Sequence, residues 1–186
     1  MRKNRRKITF AITTMAITLT ALSCTKIANL LTFRLGMQTK SFDFTIPVTT
    51  DTGRMSVGPV ATTFNVDSFI RASTAGQMGS ANIKSVKLSS VVLTLNNANS
   101  ANNFQNFEYV DVDFTSNTNS TPYKMTIANN PDSYASTLSL PVDTTVDLAS
   151  YLGNEFTYSV SGRLRKGTTQ EMNCTATVTS NLSVRE

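Results

Sequence analysis

Apolar residues recur at every second position through most of this chain, from residue 40 to the C-terminus. Phe42, Phe44 and Ile46 alternate with polar residues. The same period returns in four later segments, at residues 110–114, 123–127, 156–160 and 172–178. Because a period of two places successive side chains on opposite faces of an extended chain, these segments predict half-buried strands rather than helices. Their spacing by turns predicts an all-β fold, an antiparallel immunoglobulin-like β-sandwich of about seven to nine strands.

The longest apolar segment, residues 83–95, changes its alternation midway. Val86 and Leu88 share one parity, and the apolar residues from Val91 onward share the other. A shift of one residue at Ser89-Ser90 is typical of a β-bulge, in which one extra residue moves the later side chains to the opposite face. We therefore predict a long core strand with either a bulge or a strand corner at this point.

Three segments carry signals other than a strand. Residues 147–152 (DLASYL) predict a helical turn, since Asp147 can cap it and Gly153 can end it. Residues 96–106 (NNANSANNFQN) predict a polar loop. Residues 166–168 predict the turn of a closing hairpin that pairs residues 156–160 with residues 172–178.

The first 24 residues have the pattern of a secretory signal. Five of the seventeen basic residues lie within the first seven positions, and residues 8–22 form an uncharged, mostly apolar run of 15 residues. This run is shorter than the roughly 20 residues that span a bilayer and has the length of a signal-peptide core. The remaining twelve basic residues equal the twelve acidic residues in number. Without a basic surface, binding to nucleic acid is not expected.

The signal ends at Ala21-Leu22-Ser23-Cys24, which resembles the lipobox of bacterial lipoproteins. In that family a diacylglyceryl group is attached to the cysteine thiol, and the peptide is cut just before the cysteine. The resemblance implies that Cys24 is the lipidation site and residues 1–23 are a lipoprotein signal peptide. Residues 24–39 would then form a lipid-proximal tether or a first strand, and residues 40–186 a single β-sandwich domain. Residues 25–28 lack the acidic cluster of surface-exported lipoproteins, which favours the periplasmic face of the outer membrane.

The layout of the remaining chain resembles small lipoproteins of the Bacteroidota with an immunoglobulin-like sandwich. The segments that carry the resemblance are VDSFI, IKSVKLSSVVLTLNN, FQNFEYVDVDF and DLASYL, followed by the predicted closing hairpin. These proteins are largely of unknown function. The resemblance therefore implies a fold and no activity.

Catalytic chemistry has few candidate residues. The chain has no histidine, which is the commonest general base and a frequent metal ligand. Asp111 and Asp113, with Glu108 nearby, could form an acid–base or calcium pair, but their alternation with apolar residues favours the solvent side of a strand. Cys174 shares the parity of buried residues and is expected to be an inert thiol. We expect no catalytic residue, no metal site and no cofactor.

The sequence therefore predicts a lipid-anchored, non-enzymatic protein of the cell envelope that binds or scaffolds an envelope partner. A first alternative is a carbohydrate- or peptide-binding accessory lipoprotein, with exposed side chains around residues 96–106 and at Tyr109, Tyr134 and Tyr151. A second alternative is a structural subunit of a surface appendage, with an exposed apolar edge that awaits a donor strand. Arg163, Arg165 and Lys166 form a further basic cluster, at the predicted hairpin tip.

Overall fold

The computed structural model describes residues 32–38 and 41–186, and within them the chain forms nine strands. The predicted signal peptide, Cys24 and the start of the predicted tether lie outside the described residues. The strands are β1 (Thr32–Gln38), β2 (Phe42–Ile46), β3 (Arg54–Thr63), β4 (Ile83–Leu95), β5 (Phe107–Ser116), β6 (Tyr123–Ile127), β7 (Thr137–Leu140), β8 (Glu155–Leu164) and β9 (Met172–Arg185).

The strands form two sheets that pack face to face. In sheet 1 the order is β1–β9–β4–β7, and β2 also pairs with β9. In sheet 2 the order is β3–β8–β5–β6. Every pairing among the described strands is antiparallel. The predicted antiparallel β-sandwich is confirmed.

Strands β1 and β2 follow one another along the same edge of β9. Gln38 pairs with Thr179 and Phe42 pairs with Ala176, so four steps on the edge oppose three steps on β9. The described part of residues 24–39 is therefore a first strand, which was one of the two predicted outcomes.

Of the two alternatives predicted for β4, the bulge is present. Leu88 pairs with Ser180 and Ser90 with Thr179, which leaves Ser89 without an opposite residue. Val86 and Leu88 before the bulge are buried, and so are the alternate apolar residues after it. The bulge keeps both halves of the strand facing the core despite the change of parity.

The core lies between the inward faces of the two sheets. Phe42 of sheet 1 stacks on Tyr158 of sheet 2 with ring centroids 4.3 Å apart, and Phe114 lies 5.9 Å from the same tyrosine ring. The inward side of β9 is almost fully buried along its whole length. Burial of side chains of this size contributes about 1.5–3 kcal/mol each, which makes this interface the main source of stability.

The predicted closing hairpin is wrong. β8 lies in sheet 2 and β9 in sheet 1, so the two strands face each other across the core instead of pairing. The connection at residues 165–171 crosses from one sheet to the other, and within it Thr168 forms a bridge with Thr49. The alternation of the two segments is the same in a hairpin and in a crossover, because both arrangements bury one face of each strand.

One α-helix was not predicted. Helix α1 (Val66–Ser73) follows β3, and its first turn is capped by the Asn65 side chain, which accepts a hydrogen bond from the amide of Ser68. Val66 and Ile70 are buried four residues apart on one face. The predicted turn at residues 147–152 is confirmed as a short 3-10 helix at Ala149–Tyr151, with the Asp147 carboxylate accepting from the Ala149 amide at 3.0 Å.

Candidate functional site

Asp111 and Asp113 lie on the outer face of sheet 2, but neighbouring side chains bury Asp111, of which only 7% is exposed, so the prediction of a solvent-facing side chain is wrong for Asp111. The Asp111 carboxylate accepts a hydrogen bond from the Thr126 hydroxyl at 2.6 Å and lies 3.8 Å from the Arg54 guanidinium. Asp113 lies 3.8 Å from the Lys124 ammonium. Each carboxylate has its own cation, so the pair is not arranged as two groups that share a proton or a metal ion. Among the described residues no group of three acidic, cysteine or histidine side chains could hold a metal ion.

The basic cluster of Arg163, Arg165 and Lys166 is largely committed to the fold. The Arg165 guanidinium donates to the backbone carbonyls of Gln105 and Asn130 at 2.8 and 2.7 Å. Arg163 lies 3.3 Å from the Glu108 carboxylate. Only Lys166 remains exposed without such a contact among the described residues. These contacts leave this end of the molecule without a concentrated positive charge.

Three asparagines of the loop at residues 96–106 are part of the packed structure. Asn102, Asn103 and Asn106 are all buried, with at most 2% of each exposed. The Asn106 amide donates to the carbonyls of Ala101 and Gly167, both at 3.0 Å. These three amides are therefore held inside the fold, while Asn96 is exposed and Asn97 and Asn99 are half-buried. Phe104, which is 1% exposed, holds the loop against the core.

The three tyrosines have different environments. Tyr151 packs against Phe114 at a ring-centroid distance of 5.2 Å and is half-buried. Tyr109 is half-buried on the outer face of sheet 2, in register with Arg163. Tyr134 is 58% exposed in a loop. They do not gather into one aromatic surface that could stack against a sugar.

The Cys174 thiol is buried in the core. Only 1% of the residue is exposed, and burial raises the pKa of the thiol to about 12, with the Asp43 charge acting in the same direction. A thiol with so high a pKa carries almost no thiolate at neutral pH and is a poor nucleophile. The prediction that Cys174 is buried is confirmed.

A polar depression on the outer face of sheet 1 is the best candidate site in the described part of the chain. Its volume is about 580 Å³, within the range of small-molecule sites. We call it the polar depression and define it by its polar lining residues. These are Arg34, Ser85, Lys87, Ser89, Thr144, Asn181 and Ser183.

Strand register explains how these side chains come together. Arg34 of β1 pairs with Ser183 of β9, and Ser183 pairs with Ser85 of β4. In the next outward row Asn181 lies between Gly36 and Lys87. Because alternate residues of each strand face the same side, two rows of three residues form the floor.

Two features make the floor concave. A Cβ atom placed on Gly36 would meet no atom within 4 Å, so the second row has open space at its β1 end. At the other side β7 pairs only with Val91–Thr94 of β4, so the loop that carries Thr144 runs past the earlier half of that strand. The depression lies between the β1 edge and this loop.

The depression carries positive charge that the protein does not neutralise by contact. Neither Arg34 nor Lys87 forms an ion pair with any described residue, and no acidic residue contributes to the described lining. Asp143, beside Thr144, accepts hydrogen bonds from the hydroxyl and amide of Thr145 at 2.6 and 2.8 Å. These bonds, with a smaller contribution from the Lys87 charge, lower the pKa of Asp143 below its ordinary value. Asp143 is therefore already satisfied by its own turn.

No residue of the polar depression stands out in the sequence. Each of them lies on the solvent side of an ordinary amphipathic strand or in a loop, and only the pairing of β1, β9 and β4 brings them together. The visible signal was that Arg34 and Lys87 occupy outward positions in strands with no acidic residue beside them. Pairing between the first and last strands could not be read from local patterns.

No protein-family model matches this chain, and none of the curated proteins does. Among solved structures, it is similar to a protein from Eubacterium rectale that is predicted to be secreted, with 16% identity and a TM-score of 0.48 over 84% of this chain and 41% of that one. The decameric BFDV capsid protein has 10% identity and a TM-score of 0.40 over 83% of this chain and 100% of that one. The VP2 subviral particle of infectious bursal disease virus has 5% identity and a TM-score of 0.39, over 84% of this chain and 34% of that one.

The chain thus spans less than half the length of the Eubacterium rectale protein. With TM-scores below 0.5, these similarities carry no functional argument. Within residues 32–38 and 41–186, no helix has the length and apolar character needed to cross a membrane.

Proposed function

We propose that this protein is a lipid-anchored, non-enzymatic protein of the cell envelope that binds an envelope partner in the polar depression. The observation that carries the binding role is the pair of cations Arg34 and Lys87, neither of which forms an ion pair with a described residue, over a floor of hydroxyl and amide groups. On the outer face of sheet 2, in contrast, Arg54, Lys124 and Arg163 each form an ion pair with a carboxylate. Charge left unpaired in a concave site favours a ligand of opposite charge.

The anchor is supported by the sequence before β1. The basic segment, the uncharged run and Ala21-Leu22-Ser23-Cys24 together resemble a lipoprotein signal, and acylation at Cys24 with more than one chain would hold the protein on a membrane. Thr32 begins β1 eight residues after Cys24, so at about 3.5 Å per residue it lies within about 28 Å of an acylated cysteine. The depression, which includes Arg34, would then lie close to the membrane surface, with the periplasmic face of the outer membrane favoured.

The non-enzymatic role is supported by the state of the candidate catalytic groups. Asp111 and Asp113 are each bound to a separate cation, and the Cys174 thiol is buried with a high pKa. No feature of the described residues favours the alternative of an appendage subunit. β9 has a neighbour on each side for most of its length, so sheet 1 does not present a vacant central position to a donor strand.

Anchoring is tested by intact mass and fractionation. The wild-type protein should begin at Cys24, carry added acyl mass and sediment with membranes, whereas a Cys24→Ser variant should lose the acyl mass and leave the membrane fraction. A mature protein without acyl mass would contradict the anchor.

Binding is tested by crosslinking a tagged protein in its own membrane. The comparison is with Gly36→Trp, which places a large side chain over the second row of the depression, where the backbone has room for it. Loss of the crosslinked partner in this variant, with retention in Gly36→Ala, is the expected result. An unchanged set of partners would contradict binding at the depression.

A further inference from the structure

The two cations of the polar depression are too far apart to act on a single small anion. Strands β1 and β4 flank β9, so Arg34 and Lys87 lie two strand spacings apart and one outward row apart. At about 4.8 Å per strand and about 3.4 Å per residue, their Cα atoms are separated by about 12 Å. An inorganic phosphate could be held by one of them, while a ligand that meets both must be extended and carry anionic groups at intervals.

The floor between the cations is suited to hydroxyl groups. The hydroxyls of Ser85 and Ser183 can each donate one hydrogen bond and accept up to two. The Asn181 side-chain amide offers two donors and an acceptor. Leu88 is the one apolar residue of the described lining. No aromatic side chain is among the described lining residues. This composition does not provide the apolar pockets that anchor peptide side chains, nor the aromatic face that stacks on a base or a neutral sugar ring.

The depression also differs from a peptide-binding strand edge. Its floor is the face of paired strands, whose backbone groups are already bonded to one another across β1, β9 and β4. Recognition must therefore come from side chains, which here offer two positive charges and a set of hydroxyl and amide groups. Arginine is suited to carboxylate, sulfate and phosphate oxygens, because its planar fork can hold two of them at once.

We propose, on the basis of the binding role proposed above, that the polar depression binds an acidic oligosaccharide. Arg34 and Lys87 each hold an anionic group on a different sugar unit, and the floor binds the hydroxyl groups between them. The path crosses β1, β9 and β4 obliquely, with Gly36 leaving space for the chain of sugars beside Asn181. Carboxylated and sulfated glycans share this chemistry.

The experiment measures binding of the purified full-length protein to a galacturonate tetramer, a heparin-derived tetrasaccharide and neutral maltotetraose by calorimetry. We expect an acidic tetrasaccharide to bind and maltotetraose to bind at least about tenfold more weakly, since hydrogen bonds to charged groups account for differences of this size. Arg34→Gln and Lys87→Gln should each weaken acidic-glycan binding at least about tenfold. Gly36→Trp should abolish it.

The matched control is Lys166→Gln, which removes the same charge from an exposed position in the connection between β8 and β9. It should leave the affinity unchanged. A Lys166→Gln variant as weak as Arg34→Gln would show that net charge alone attracts the glycan, and would overturn the proposal.

Two further results separate this inference from the binding role. One such result is that maltotetraose binds as tightly as the acidic glycans and only Gly36→Trp abolishes the binding. In that case the inference of an acidic ligand is wrong, while the depression remains a binding site. The same holds if no glycan binds but Gly36→Trp still removes a crosslinked partner. If no glycan binds and Gly36→Trp changes no crosslinked partner, both proposals are wrong.

Discussion

Replacing Asn106 with alanine tests whether the buried asparagines hold the loops at one end of the sandwich. The side chain is fully buried, and its amide donates to the carbonyls of Ala101 and Gly167 at 3.0 Å each. Its oxygen accepts from the amide of Asn103 at 3.2 Å. The variant therefore leaves three backbone groups in the protein without their partner.

The size of the effect follows from these three groups. The buried amide of Asn103 costs about 1–3 kcal/mol when it is left unsatisfied. The carbonyls of exposed Ala101 and half-buried Gly167 can bond to water instead, so each lost bond costs about 0.5–1 kcal/mol. We expect the free energy of unfolding to fall by about 2–5 kcal/mol. The total free energy of unfolding of a domain of this size is about 5–15 kcal/mol, so the loss would be a large fraction of its stability.

Urea unfolding followed by circular dichroism measures this change. The matched control is Gln105→Ala, whose side-chain amide donates to the partly exposed carboxylate of Asp132 at 2.8 Å. Loss of an exposed hydrogen bond of this kind should cost less than about 1 kcal/mol. If Asn106→Ala is no more destabilising than this control, the reasoning that the amides hold the loops is refuted.

Three other expectations follow from the core. The Ser180 hydroxyl is buried without a hydrogen-bond partner beside a small apolar cavity of about 30 Å³, so Ser180→Ala should raise the free energy of unfolding by up to about 1 kcal/mol, and a loss of stability would contradict this. The Cys174 thiol should react with a bulky disulfide reagent only as fast as the protein unfolds, and equal rates in folded and urea-unfolded protein would contradict its burial. A Cβ atom on Gly162 would lie 2.7 Å from the carbonyl of Tyr109, so Gly162→Ala should lower the urea midpoint by the equivalent of about 1–3 kcal/mol. Gly36→Ala, which meets no atom, should not lower it.

The parts of the fold that could be predicted from the sequence depend on local side-chain periodicity. The bulge at Ser89 could be predicted because it shifts the parity of the core residues on both sides of it. The turn at Asp147 could be predicted because a capping carboxylate and a glycine lie at fixed offsets. In both cases the physical cause lies within a few residues of its effect.

Features that depend on distant residues could not be predicted in this way. Helix α1 has a cap at Asn65 and apolar residues four apart, but eight residues give too short a pattern to separate from a strand end. The burial of Asn103 depends in part on a distant residue, because the backbone amide of Ala135 donates to its side-chain oxygen at 3.3 Å. Arg34 and Lys87 become neighbours of one depression only because β9 pairs with both of their strands.

The position of β9 in sheet 1 has a consequence for the order in which the fold can be completed. A chain that emerges N-terminus first, from a ribosome or across a membrane, exposes β1 and β2 long before their pairing partner exists, since Phe42 pairs with Ala176. Before β8 emerges, only the neighbouring strand pairs β5–β6 and β4–β7 can form. Contacts so distant in sequence make folding slow. Removing residues 172–186 would therefore delete a central strand and leave β1 and β2 without a partner, whereas in many proteins a cut of this length removes a dispensable tail.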